Sequence, residues 1–271
     1  MSFVSTQFKT QPFHIGQVPT NCLYSMQVYL LSPLSSLPIC LCLLGGISEA
    51  NKAHNLRYPQ VPSHHQKRSL NSSSPFPVVG IPLNKSALVP QRLEIRQLQE
   101  NPLQWNLYLL AMAQYQSIDQ SDMISYYQIA GIHGRPFVRW DNVAYAPGGT
   151  GGYCTHSSTL FPTWHRPYLA LFEQVLYRIV QDIAASFENS TDYRAAATTF
   201  RVPYWDWLLP APVGQDTMPT FISSSAPVLV NTPNGTQKIP NPLYRYHFSP
   251  LDSSQFPDYP VIIDPGQAEN F

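Results

Sequence analysis

The sequence predicts a mainly α domain with long loops. Three observations carry that reading. Three segments repeat apolar residues at helical spacing. The 27 prolines among 271 residues interrupt everything between them, which also excludes a coiled coil. The 16 Tyr, 13 Phe and 5 Trp supply enough aromatic mass for a packed core. Charged residues are only 12% and the formal net charge is zero, which excludes a basic nucleic-acid arm, an acidic tail and a highly charged disordered chain.

The chain opens with a leader, residues 1–68. It carries Lys9, Lys52, Arg57, Lys67 and Arg68 against the single acid Glu49, so the zero net charge hides a basic start and a mildly acidic body. The apolar stretch within 26–50 is broken by Pro33 and Pro38. It is a poor membrane span, and reads as the core of a secretory signal closed by small residues. Met26, directly before it, offers a second start. Lys67-Arg68 is a dibasic pair suited to removal of a pro-segment, with a chance pair in a linker as the alternative. Asn71, Asn84, Asn189 and Asn234 begin Asn-x-Ser/Thr acceptor motifs. These features point to the secretory pathway, extracellular or vacuolar, with a cytoplasmic location as the alternative. Cys22, Cys40 and Cys42 fall in the leader and only Cys154 in the domain 69–271, so a disulfide framework is excluded there.

Three helices are predicted within the domain. The first spans 92–113, with Leu93, Ile95, Leu98, Leu103, Leu107 and Leu110 near helical spacing and Pro102 as a break or a new first turn. A second runs over 119–130, opened by Asp/Ser caps and stopped at Gly131. The third and clearest covers 163–187, striped by Trp164, Tyr168, Leu171, Phe172, Val175, Leu176, Ile179 and Ile183, with Pro167 placed in the first turn. Residues 210–271 read as extended loop.

Three histidines stand close in this frame. His133 follows the second helix, His156 ends a glycine-rich loop and His165 opens the third helix. Three converging imidazoles suit copper or zinc better than magnesium. The alternative is three ordinary polar or half-buried histidines.

The flanking residues add a resemblance. His156, then Phe161-Pro162-x-Trp164-His165-Arg166, Leu169 and Glu173 resemble the first copper signature of tyrosinases and related type-3 copper oxidases. Val202-Pro203-Tyr204-Trp205-Asp206-Trp207 and Val89-Pro90-x-Arg92-x-Glu94-Ile95-Arg96 resemble further landmarks of the family, and Asn241-Pro242-Leu243-Tyr244 resembles a stretch of its fungal members. The likeness covers about 76–260. It implies copper A ligands at His133, His156 and His165, and a thioether between Cys154 and His156. A small buried thiol is the bland alternative for Cys154. Phe161 and Trp164 are expected in the pocket wall, and Arg166 and Glu173 as an internal ion-pair or hydrogen-bond anchor on one helix. Asp206 is expected either to orient a ligand histidine or to cap a turn.

The implied activity is ortho-hydroxylation of small monophenols and oxidation of catechols to o-quinones with O2, for melanin-type pigment. No nucleic acid or stable membrane span is implied, and the oligomeric state is not legible. Type-3 chemistry uses two coppers with three histidines each. After His165 the sequence holds only His247, at which the resemblance predicts no ligand. The expected fold is therefore a partial type-3 copper four-helix bundle lacking its second half. The expected function is an oxidase impaired by the absence of copper B, or alternatively a non-catalytic copper-binding half-domain.

Overall fold

The computed structural model describes residues 75–83, 88–145, 152–188 and 191–256, all within one compact unit, Ile47–Phe271. The leader with Lys67-Arg68, the cysteines 22, 40 and 42, the motifs at Asn71, Asn84 and Asn189, and the tail after 256 lie outside the described residues. The fold is mainly α. Helices α1 (Ile95–Gln99), α2 (Pro102–Gln116), α3 (Tyr126–Gly131), α4 (Phe161–Ser186), α5 (Thr191–Thr199) and α6 (Thr220–Ser223) precede a hairpin of β1 (Val228–Thr232) and β2 (Gly235–Ile239).

The first predicted helix is two helices. Glu94 caps α1 through a reciprocal box with Gln97, and Asn101 caps α2 with Pro102 in its first turn. A proline at that position lacks only an amide that has no helical partner in any case. Helix α2 is buried on nearly every side, so its polar residues need partners. Gln104 donates to the Ala196 carbonyl and the Thr199 hydroxyl, and Asn106 bonds both the amide and the carbonyl of Asn231.

The second predicted helix is shorter than its periodicity suggests. Only 126–131 is helical, capped by Ser125. Upstream, the Asp119 carboxylate accepts from the Ser121 amide and hydroxyl, and Asp122 accepts from the Ile124 amide. Short polar side chains that capture nearby amides favour turns over helix. Gly131 closes α3 for packing rather than for a left-handed turn: a Cβ there would lie 2.4 Å from Val138 Cγ2.

Helix α4 starts at Phe161, which places Pro167 inside it and not in the first turn. Leu176, Ile179 and Val180 are fully buried on its core face, each contributing about 1.5–3 kcal/mol. Helices α2, α4 and α5 pack on one another around Leu107, Tyr115, Leu176, Ile179 and Phe200. The segment before α1 is tied to α4, where the Gln174 side chain accepts from the Val79 and Gly80 amides.

The stretch expected to be wholly loop contains the hairpin, with Val230 and Ile239 buried against the core. No helix among the described residues is long and apolar enough to cross a membrane.

Candidate metal centre

His133 sits just past α3, where the amides of His133 and Gly134 both bond the Ala130 carbonyl. The loop carrying His156 is laid beside it by a bond from the Tyr153 amide to the Ile132 carbonyl. That close approach needs Gly152, at φ +81°, where a Cβ would be 2.6 Å from Phe137 Cδ1. His165 lies on the early part of α4, and its Nδ1 is 2.7 Å from the Phe161 carbonyl oxygen. A carbonyl only accepts, so Nδ1 carries the proton and Nε2 keeps its lone pair for a metal.

These three segments bring the imidazoles together. Their ligand atoms all lie within 4.8 Å of one another, with His133 Nε2 and His165 Nε2 3.1 Å apart. His133 and His165 are half-buried and His156 is exposed. Burial, followed by the neighbouring His165 and His156, holds His133 below the ordinary histidine range, which favours the neutral, metal-binding form. The group contains no carboxylate. An all-imidazole donor set fits copper or zinc and fits poorly the oxygen-seeking cations.

The wall is aromatic. Tyr168 stacks on His133 at 5.5 Å, Trp164 lies 6.1 Å from it, and Phe161 lies 4.2 Å from His165 and 5.6 Å from His156. Cys154 Sγ is 3.5 Å from His156 Nδ1 and 3.9 Å from the His133 carbonyl. Burial pushes the Cys154 thiol up, so it remains protonated near neutrality.

One expectation changes, and one pair of alternatives is decided. Glu173 does not pair with Arg166, which is exposed. Its carboxylate takes Arg92 Nε at 3.1 Å and Nη2 at 2.7 Å, and the Val202 amide at 3.0 Å. Seven residues along a helix is two turns, and the buried face of α4 turns Glu173 toward the segments before α1 and after α5. Asp206 caps a turn, with its carboxylate accepting from the Leu208 amide. No described contact joins it to a histidine. His247 Nε2 accepts from Arg245 Nε and stands outside the three-histidine group. A separate cavity of about 320 Å³ is lined by Ile95, Tyr108, Met112, Tyr126, Leu243 and Tyr246 among others, and none of the three histidines faces it.

Residues 123–269 match the common central domain of tyrosinase. The chain belongs to the tyrosinase family. That family is a copper enzyme family, and the donor set of His133, His156 and His165 could hold such an ion. This tyrosinase-family chain is 46% identical over 193 residues to the tyrosinase of Neurospora crassa, covering 66% of this chain and 28% of that protein. It is 42% identical over 196 residues to the tyrosinase of Podospora anserina, covering 68% and 34%. Among solved structures it resembles mushroom tyrosinase in its latent and active forms (TM-score 0.58, 35% identity, 69% of this chain and 47% of that one). It also resembles a copper-bound cysteine-to-alanine mutant of active tyrosinase from Aspergillus oryzae (TM-score 0.58, 31% identity, 65% and 43%). The chain thus spans about a third or less of the length of the two curated relatives.

Sequence reasoning passed over three contributors to the centre. Periodicity assigns Tyr168 only to an apolar stripe, although its place three residues after His165 signals the same helix face. The Phe161 carbonyl has no side-chain signature. Gly152 lies in a run of glycines, and only the packing of Phe137 singles it out.

Proposed function

We propose that this chain forms the copper A half of a phenol-oxidising tyrosinase, with one copper ion held by His133, His156 and His165. The observation that carries the reading is the convergence of three ring nitrogens within 4.8 Å. Bound copper would supply the redox couple through which O2 hydroxylates a monophenol ortho to its hydroxyl and oxidises a catechol to an o-quinone, the precursors of melanin-type pigment. The residues set the conditions for it. The Phe161 carbonyl holds the His165 ring in one tautomer. Tyr168, Trp164 and Phe161 pack against the histidine rings and restrict their motion. The approach of Cys154 Sγ to His156 Nδ1 at 3.5 Å supports a thioether to that ring, a bond whose formation would remove the thiol hydrogen and a ring hydrogen and pass two electrons to O2.

Phenol oxidation of this type uses a second copper with its own three histidines. Beyond His165 the 271 residues contain His247 alone, and its Nε2 is engaged by Arg245. We therefore propose that these residues alone bind one copper without oxidising phenols. The basic, apolar leader and the four glycan acceptor motifs support routing through the secretory pathway.

The test is copper loading of the full chain, followed by metal analysis, oxygen uptake with a monophenol and a catechol, and intact mass. One copper per chain, no quinone and a mass lower by two hydrogens are expected. Two coppers per chain, or sustained quinone formation, refute the half-centre reading. Absence of bound copper refutes the metal assignment, and a free thiol after loading in air refutes the thioether.

A further inference from the structure

The hairpin carries a feature that the copper centre does not use. Asn234-Gly235-Thr236 is an N-glycan acceptor motif, and it lies at the turn. Thr232 pairs with Gly235, so Pro233 and Asn234 form the corner. Gly235, directly after the corner, has φ +102°, a left-handed backbone that glycine adopts without steric cost. The turn is held by Thr232, whose hydroxyl accepts from the Asn234 amide and donates to the Gly235 carbonyl. The Asn234 carboxamide has no part in that geometry. Asn234, Gly235 and Thr236 are all exposed, and a Cβ at Gly235 would meet nothing within 4 Å. A large group can be attached here without displacing the fold.

The base of the hairpin is anchored separately. Asn231 bonds Asn106 of α2 through both its amide and its carbonyl, so those groups face away from β2. Its partner across the ladder is Thr236, whose own amide and carbonyl therefore face the outer edge of β2. The outer face also exposes Leu229, at 70%. Among the described residues no strand pairs with that edge, and an open strand edge beside an exposed leucine is a template for pairing with another chain. A bulky hydrophilic group two residues from that edge hinders such pairing.

We propose that Asn234 carries an N-linked oligosaccharide. The inference rests on the secretory routing proposed above. The donor is a lipid-linked oligosaccharide pyrophosphate. The bond between Asn234 Nδ2 and the first sugar's anomeric carbon forms, the sugar–phosphate bond breaks, and the amide proton leaves with the pyrophosphate. Of the four acceptor motifs, this is the one whose asparagine lies among the described residues.

The experiment expresses the full chain in a secreting fungal host and maps peptides from the medium and from the cells. Enzymatic glycan release is run in heavy-oxygen water, which marks each formerly occupied Asn as a labelled Asp. The wild type and Thr236→Ser are expected to carry the label at Asn234. Asn234→Gln and Thr236→Ala are expected to lose that glycan's mass. Because the wild-type map alone reads occupancy, a variant that fails to fold does not block the test. Secreted chain with unmodified Asn234 overturns the inference and leaves the routing intact. Chain retained in the cytosol and bare at every motif overturns the routing and the inference together, and its location separates the two failures.

Discussion

Replacing Glu173 tests what locks α4, and with it His165, to the rest of the domain. The Glu173 carboxylate is buried and accepts from Arg92 Nε, Arg92 Nη2 and the Val202 amide. Glu173→Ala removes all three bonds. The Val202 amide loses its acceptor, at about 1–3 kcal/mol. The Arg92 side chain is 45% exposed, so its guanidinium returns to water, and after screening the pair is worth about 0.5–1 kcal/mol. The expected loss is about 1.5–4 kcal/mol. Glu173→Gln keeps one carbonyl oxygen for Val202 and is expected to cost about 1 kcal/mol. Arg166→Ala trims an exposed side chain on the same helix and is expected to cost less than about 0.5 kcal/mol. Urea unfolding of the copper-free chain, followed by tryptophan fluorescence, reads all three. An Arg166→Ala loss equal to that of Glu173→Ala, or a Glu173→Ala loss below about 0.5 kcal/mol, refutes the reasoning.

Alanine at His133, His156 or His165 is expected to abolish retention of copper through gel filtration, whereas His247→Ala retains it; metal analysis of the eluted protein decides. Gly152→Ala forces a left-handed residue and a clash with Phe137. Its expected cost is about 2–5 kcal/mol, against about 1–2 kcal/mol for Gly214→Ala, which has φ +79° and open space around it; paired urea titrations compare the two. The copper-free chain is expected to lose stability as pH falls below the ordinary histidine value of 6.5. Burial holds the His133 pKa under that value in the fold, so the unfolded chain binds the proton first and stability rises with pH through that window. Urea midpoints at pH about 7.5 and about 5.5 measure the slope, and His133→Gln is expected to flatten it.

The helices were legible to different degrees, for physical reasons. The stripe of α4 was clear because that helix is apolar on one face only. Helix α2 is buried nearly all round, so periodicity marked its presence but not its ends, and Pro102 separated it from α1. The span 119–125 has helical spacing, yet its Asp side chains bind the nearby backbone amides of Ser121 and Ile124. The hairpin escaped notice because β1 is short and alternates only over Val228 to Thr232, and the signal lay in the Pro-Asn-Gly turn.

The sequence alone determined the donors: three histidines with their aromatic neighbours, a cysteine two residues from one of them, and a mainly α frame. Those are matters of residue type and near spacing, which survive without coordinates. Only the tertiary structure decided which groups meet. Glu173 chose Arg92 over Arg166 because the partner of a buried carboxylate is set by what packs on that helix face. Asp206 turned to the Leu208 amide because its own loop offers the nearest donor. The three imidazoles converge because a helix end, a glycine-bearing loop and a helix start are packed together. That juxtaposition depends on contacts such as Gly152 on Phe137 and Gly131 on Val138, which local spacing does not encode.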